Sequence, residues 1–130
     1  MKSEAEQIAP ESRDPLTATV IGCAYEVANT LGHGFLEKVY ENALAHQLRK
    51  AGLDVVQQHP VNVYFDGIVV GEFFADIMIN DTLIIELKSV NELAGVHTAQ
   101  CLNYLRATCV KTCLLINFGK PRIDIRRISL

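Results

Sequence analysis

The sequence predicts an α/β fold in which helices cover a mixed β-sheet. Two helical stretches open the chain, a run of β-rich segments separated by turn signals follows, and a third helical stretch lies between two buried strands. Strands joined by tight turns run antiparallel, whereas strands joined through a helix run parallel, so both kinds of pairing are expected in one sheet. At 130 residues, the chain is long enough for one domain with a buried core.

Two helices are predicted at the start of this domain. Asp14 and Pro15 indicate the first helix, because Asp is a favoured N-cap and Pro fits the first helical position. Its apolar residues recur at helical spacing: Leu16, Val20, Cys23, Ala24, Val27 and Leu31. After the glycines of "LGHGF", the second helix carries its own apolar stripe and ends near Gly52. That stripe consists of Leu36, Val39, Tyr40, Ala43, Leu44 and Leu48. Residues 1–13 are polar and without periodicity, so a flexible tail is expected before a single domain at 14–130.

The remaining chain alternates between strand and turn signals. Strands are predicted at 53–58, 61–65, 68–79, 83–88 and 113–119, with a short edge strand in the last eight residues. Asp66-Gly67 is a strong hairpin turn signal, and residues 80–82 form the next turn. Residues 93–108 return to helical spacing. The predicted inner face of that helix comprises Leu93, Val96, Gln100, Cys101, Tyr104 and Leu105.

Composition and charge narrow the classes of function. The net charge of −3 and the pI of about 5.8 give no general attraction to nucleic acid, so any such contact requires a local patch. The basic residues that offer one near the C-terminus are Lys111, Lys120, Arg122, Arg126 and Arg127. No apolar stretch has the length of a membrane span and the N-terminus has no secretory pattern, so a cytoplasmic protein without a membrane partner is expected.

The four cysteines are expected to be reduced thiols that pack as small hydrophobic side chains. They form no C-x-x-C pair. A zinc site built from His97, Cys101, Cys109 and Cys113 is the alternative, but its spacing matches no common zinc pattern.

The segment "DTLIIELKSV" (81–90) places two charged residues inside an apolar strand. Strand periodicity puts Glu86 and Lys88 on the same face. An ionised group in a core costs several kcal/mol unless it is paired or ligated. Asp76 interrupts the preceding apolar strand in the same way.

The turn between these strands decides whether the three charges meet. If residues 80–82 form a three-residue loop, Ile79 lies opposite Leu83 and Asp76 lies opposite Glu86, close enough for one cation to bridge both carboxylates. A two-residue turn would place the acids on opposite faces. Hard oxygen ligands of this kind favour Mg²⁺ or Mn²⁺. The alternative is structural, with Lys88 forming an internal ion pair with one of the acids.

The motifs "FADIMI…IIELK" resemble the D…(D/E)-x-K core of the PD-(D/E)xK nuclease superfamily. More specifically, "GFLEKVY" resembles the signature of the small GxxExxY proteins, through Gly34, Glu37 and Tyr40. The helix "HTAQCLNYL" matches the Q-x-x-x-Y element of exonuclease-like branches through Gln100 and Tyr104. The ordered set is far more specific than D…E-x-K alone.

The resemblance implies a restriction-endonuclease-like three-layer sandwich, with a central mixed β-sheet flanked by helices. It implies that Asp76, Glu86, the backbone carbonyl of Leu87, and Glu37 bind Mg²⁺. Lys88 would position the attacking water, and Gln100 and Tyr104 would contact the substrate.

Several of these residues have a structural alternative. Glu37 in the first turn of a helix is favoured by the helix dipole, and Gly34 suits the turn. Tyr40 lies on the apolar stripe, which favours core packing over ligand binding. Gln100 and Tyr104 also fit an ordinary amphipathic pair.

The predicted function is therefore a Mg²⁺-dependent nuclease that hydrolyses phosphodiester bonds in nucleic acid, with DNA as the expected substrate. The alternative is a catalytically silent module of the same fold that binds nucleic acid or a protein partner. Small size and acidic charge suggest that a homodimer or a partner protein supplies further binding surface.

Overall fold

The computed structural model describes residues 5–7 and 14–130, and within them the chain forms three helices and six strands. The elements are β1 (Ala5–Gln7), α1 (Pro15–Leu31), α2 (Glu37–Lys50), β2 (Val55–Phe65), β3 (Ile68–Ile79), β4 (Leu83–Lys88), α3 (Gly95–Thr108), β5 (Thr112–Asn117) and β6 (Asp124–Ser129). The strands form one sheet in the order β1-β6-β5-β4-β3-β2. β4 and β5, which α3 connects, are parallel, and the other neighbouring pairs are antiparallel. The predicted mixed sheet is confirmed.

The N-terminal segment contributes a strand at the edge of this sheet. β1 pairs antiparallel with β6, with Ala5 opposite Ile128 and Gln7 opposite Arg126. The segment was predicted as a flexible tail over residues 1–13, and residues 1–4 and 8–13 lie outside the described part of the chain. β1 is therefore a strand that the sequence did not predict.

The first helix begins as predicted. The Asp14 side chain accepts a hydrogen bond from the Thr17 N–H at 2.9 Å, and Pro15 occupies the first helical position. β2, by contrast, is one continuous strand, where two short strands were expected around Pro60. A proline lacks the N–H that a central strand needs, but β2 lies at the edge of the sheet and tolerates it.

Two apolar clusters sandwich the sheet. The first joins α1 and α2 to one face and includes Leu83, Ile85 and Leu87 of β4. The second joins α3 to the opposite face and includes Ile84. Within the described residues, no helix is long and apolar enough to cross a membrane. Val96 was predicted to face inward but is 69% exposed, because it lies in the first turn of α3, beyond the contact with the sheet.

β3 reverses the faces of its side chains at Asp76. Ile77 and Ile79 belong to the α1/α2 cluster, whereas Ala75 belongs to the α3 cluster together with Met78. Strand periodicity predicts that Phe73, Ala75, Ile77 and Ile79 share one face. Because Ala75 lies on the opposite face from Ile77, this prediction is wrong. The neighbouring strand is irregular at the same level, where Gln58 has a φ of 55°. This break in the sheet lies where the candidate site forms.

Candidate active site

Asp76 and Glu86 form a reciprocal clasp between β3 and β4. The backbone ladder runs from Ile79–Leu83 to Ile77–Ile85, which confirms the predicted register. Beyond it, the Asp76 N–H donates to Glu86 Oε2 at 2.8 Å, and the Leu87 N–H donates to Asp76 Oδ2 at 2.8 Å. Two acidic side chains thus replace carbonyl groups as acceptors. Extending the predicted register would place Phe74 opposite Lys88, but the ladder ends before these residues.

Burial and mutual repulsion raise the pKa of both carboxyl groups. The pKa of Glu86, which is 3% exposed, is raised from 4.5 to about 8 by burial and then by the charge of Asp76. The pKa of Asp76 is also raised, first by burial and further by the charges of Glu41 and Glu37, while the Leu87 N–H acts in the opposite direction. Such a pair favours a shared proton or a bound cation.

Glu41 and Gln58 extend this acidic cluster, and neither was predicted. Glu41 is 3% exposed and accepts hydrogen bonds from Gln57, Gln58 and Lys38 at 2.7, 2.8 and 3.1 Å. The Gln58 amide also lies 3.4 Å from Asp76 Oδ1, so it connects the two acids. The spacing of Glu37 and Glu41 was the available signal, since residues four apart share one helix face.

Glu37 lies at the first residue of α2, where its side chain is exposed. This position suits an acidic residue because of the helix dipole. Its charge nevertheless raises the pKa of both Asp76 and Glu86. Glu37 therefore belongs to the electrostatic environment of the clasp, at the rim rather than at its centre.

Lys88 is half-buried beside the clasp. Its charge lowers the pKa of Glu86, against the larger effects of burial and Asp76. The salt bridges among the described residues join Lys38 to Glu41, Lys120 to Glu92 and Arg126 to Asp124. The alternative of an internal ion pair between Lys88 and one of the acids is therefore not formed in this part of the chain, and its amine is left for another group.

The donor atoms of the clasp suit a hard divalent cation. Glu86 Oε2 and Asp76 Oδ2 are engaged by backbone N–H groups, which leaves Glu86 Oε1 and Asp76 Oδ1 free of backbone bonds as ligand atoms. The Gln58 amide contacts Asp76 Oδ1 at a long distance of 3.4 Å. In residues 5–7 and 14–130, no three His, Cys, Asp or Glu side chains are arranged to hold a metal ion. Mg²⁺ commonly binds one or two carboxylates, with water and substrate phosphate as its other ligands. The two free oxygens fit that type of site.

Gln100 and Tyr104 lie on the face of α3 that approaches the clasp. The Gln100 amide donates to the Tyr104 hydroxyl at 3.1 Å. Tyr104 packs in the α3 cluster with Ala75 and Ile84, and its pKa is raised by burial and then by the charge of Glu86. His97, just before them, accepts a hydrogen bond from the Ala94 N–H at 3.0 Å and closes the start of α3.

The "GFLEKVY" segment forms a rigid corner beside the site. Gly34 has a φ of 102°, a conformation that favours glycine. Tyr40 is fully buried, and its hydroxyl donates to the Gly32 carbonyl at 2.7 Å. Core packing is therefore confirmed as the structural role of Tyr40. The Ser89 hydroxyl donates to the Phe35 carbonyl at 2.6 Å, which ties the corner to the residue after Lys88.

The loop after β4 is held by a buried asparagine that the sequence did not single out. Asn117 is fully buried. Its side chain accepts from the N–H groups of Val90 and Gly119 at 3.0 and 2.9 Å, and it donates to the Val90 carbonyl at 2.9 Å. These bonds fix the chain that leads away from Lys88.

The cysteines are not arranged as the zinc site that was the alternative interpretation. All four are free, and Cys109 is exposed while Cys101 and Cys113 are buried. Burial and the neighbouring Cys101 raise the pKa of Cys113. They are buried or surface thiols in the described structure.

Comparisons with known proteins place the chain in a family. The model of the PD-(D/E)XK nuclease superfamily matches residues 14–128. No curated protein matches. A solved structure described as "Crystal structure of SSO0001" is 16% identical with a TM-score of 0.46; the match covers 88% of this chain and 65% of that one. The family match extends over nearly all of the chain, and the layered mixed sheet agrees with it. The chain belongs to the PD-(D/E)XK nuclease superfamily.

Proposed function

We propose that the protein is a divalent-metal-dependent nuclease whose site is formed by Asp76, Glu86 and Lys88. The observation that carries this proposal is the position of Lys88, a lysine without an ion-pair partner in the described chain, beside the buried Glu86 and the half-buried Asp76, both with raised pKa values. A purely structural arrangement would be expected to pair these opposite charges. Membership of the superfamily implies a nucleic acid substrate.

Asp76 Oδ1 and Glu86 Oε1 would hold the cation, with the Leu87 carbonyl as a further ligand, while the exposed Glu37 would act on the cation through its charge from the rim. Mg²⁺ is the proposed ion and Mn²⁺ the substitute, since nucleases of this superfamily generally use divalent metals. When bound, the cation offsets negative charge on the phosphate and on the leaving oxygen. The Lys88 amine would hold the attacking water and stabilise charge that develops on the phosphate.

Two further assignments follow from the surroundings of the clasp. Gln100 and Tyr104 would contact the substrate next to the cleaved bond. The closer relationship is proposed to be with the GxxExxY proteins. The buried Tyr40 hydroxyl bonded to the Gly32 carbonyl and the positive φ of Gly34 give that signature a structural role.

A non-catalytic binding module is the second candidate. It is favoured by the apolar side chains exposed on β2 and β3, since large exposed apolar surfaces mark interaction sites. Tyr64, Phe65, Ile68 and Val70 are each at least 60% exposed. This candidate predicts binding without cleavage under any metal condition.

Cleavage assays with single- and double-stranded DNA and RNA, in Mg²⁺ or Mn²⁺, separate the two candidates. We expect the wild type to cleave and Lys88→Ala to lose at least about 100-fold in rate, the usual contribution of a positioned acid–base group. Lys50→Ala, which removes an exposed lysine at the end of α2, is the matched control. Full activity in Lys88→Ala would contradict the assignment, and absence of cleavage with every metal would favour the binding module.

A further inference from the structure

A groove lies between α3 and the outer part of the β2–β3 hairpin. The hairpin extends well past β4, because the β3–β4 ladder ends at Ile77–Ile85 while β2 and β3 continue to Phe65 and Ile68. The free part of the hairpin forms one wall and α3 the other. The groove has a volume of about 750 Å³, within the range of ligand sites in proteins.

The walls of the groove are aromatic and apolar, with a few polar groups on one side. Tyr64 and Phe73 line it from the hairpin, and Gln100, Tyr104 and Arg106 line it from α3. The rings of Phe73 and Tyr104 lie 6.1 Å apart between centroids, tilted by 44°. Phe73 is 47% exposed, so part of its ring remains open for a further stacking partner.

One end of the groove lies near the proposed site. Tyr104 lines the groove and packs in the α3 cluster with Ala75, the residue before Asp76. A polymer with its phosphate at the clasp would therefore lay its adjoining residues along the groove.

The charge of the groove favours unpaired bases over a duplex. Among the described residues, Arg106 is the one charged side chain that lines it, and the protein as a whole carries −3. Duplex binding depends mainly on cationic contacts to phosphates, which this surface provides poorly. Single strands, in contrast, gain about 1–3 kcal/mol for each base stacked on an aromatic side chain.

We propose that this groove binds unpaired bases of a single-stranded nucleic acid, with Phe73 as the principal stacking platform, and that the nuclease acts on single strands. The inference rests on the proposed function for the position of the cleaved phosphate. Binding in the groove, however, requires neither metal nor chemistry and is measured independently.

Fluorescence anisotropy with a fluorescein-labelled oligothymidylate of about 12 nucleotides, in EDTA, measures this binding. The length lies within the ~4–16 nucleotides that a small single-strand-binding fold covers. Phe73→Ala should weaken binding by about 5- to 150-fold, equivalent to the loss of one stacked base. Phe73→Tyr should bind like the wild type. Phe65→Ala, at the exposed hairpin tip outside the groove, is the matched control and should change binding less than about 2-fold.

A duplex of the same length should bind at least about 10-fold more weakly than the single strand. Equal binding of the duplex, unchanged binding in Phe73→Ala, or equal losses in Phe73→Ala and Phe65→Ala would overturn the inference. So would a Phe73→Ala variant that converts a dimer to a monomer in light scattering without weakening oligonucleotide binding, because a second copy would then be the occupant. Circular dichroism of each variant verifies the fold.

The two proposals fail separately. Lys88→Ala should lose cleavage and retain oligonucleotide binding. A wild type that binds the single strand but cleaves nothing refutes the proposed function and leaves the groove assignment standing. A wild type that cleaves, with Phe73→Ala unaffected in both binding and cleavage, refutes the groove assignment alone.

Discussion

Replacing Glu86 by glutamine is predicted to stabilise the metal-free protein at alkaline pH. Glutamine keeps an oxygen that accepts from the Asp76 N–H, as Glu86 Oε2 does, but it removes the charge. The folded-state pKa of Glu86, about 8, lies above the ordinary value of 4.5. The contribution of Glu86 to stability is therefore fully present below pH 4.5 and is lost as the pH rises through about 8.

The size of the effect follows from the shift in the pKa of Glu86. Each pKa unit corresponds to about 1.4 kcal/mol, so ionising Glu86 in the folded state costs at most about 5 kcal/mol. Because Asp76 and Glu86 titrate as a coupled pair, removing the charge of Glu86 also changes the ionisation of Asp76. We therefore expect a measured gain below this limit, about 2–4 kcal/mol for Glu86→Gln at pH ~8.5. For a chain of this size, that gain raises Tm by roughly 8–16 °C. At pH ~4 the two proteins should differ by less than about 1 kcal/mol.

Urea unfolding and thermal scans in EDTA at several pH values measure this difference. Glu72→Gln, which neutralises an exposed acid on the same strand as Asp76, is the matched control and should change little at any pH. A Glu86→Gln protein that is less stable than the wild type at pH ~8.5, or a difference independent of pH, would refute the reasoning. Added Mg²⁺ or Mn²⁺ should stabilise the wild type by about 2.7 kcal/mol at 100 times its dissociation constant, and the variant less.

Three further changes test the surroundings of the site. Tyr40→Phe removes the hydroxyl that donates to the Gly32 carbonyl. It should lower the free energy of unfolding, measured in urea, by about 1–2 kcal/mol. An unchanged stability would contradict the role of this bond in holding the corner. Asn117→Ala leaves the N–H and C=O of Val90 without their partner and should cost about 2–4 kcal/mol; faster hydrogen exchange at Val90 checks that the loop is released. Gly119→Ala places a Cβ against the backbone of Val90. It should lower Tm by at least about 5 °C, and an unchanged Tm would contradict this close packing.

The sequence predicted the fold because its signals are local. Capping by Asp14 with Pro15, the Asp66-Gly67 turn and the apolar periodicities identify the elements, and the three-residue turn sets the register of Ile79 with Leu83. From that register the meeting of Asp76 and Glu86 followed.

What the sequence did not predict depends on exceptions to regular periodicity. The reversal of faces at Asp76 is accompanied by an irregular backbone at Gln58, which has a φ of 55°. Nothing about a glutamine in the sequence indicates such a backbone conformation. Parity arguments therefore assigned Ala75 to the wrong face. Glu41 of α2 is buried with its carboxylate bonded to the side-chain amides of Gln57 and Gln58 on β2. The spacing of residues along α2 cannot reveal this contact, because the partners lie in a distant part of the chain.

The clasp also changes what retention of an acidic residue means in the evolution of this fold. Asp76 and Glu86 each accept a bond from a backbone N–H of the facing strand, so the sheet needs an oxygen acceptor at both positions even in a descendant without catalytic activity. Selection for folding alone would preserve an acid or its amide at each position. The Lys88 side chain has no comparable structural role. The bond from the Phe118 N–H goes to the Lys88 backbone carbonyl, which any residue at this position would supply. Among related sequences, the lysine, rather than the acids, would therefore distinguish active nucleases from silent ones.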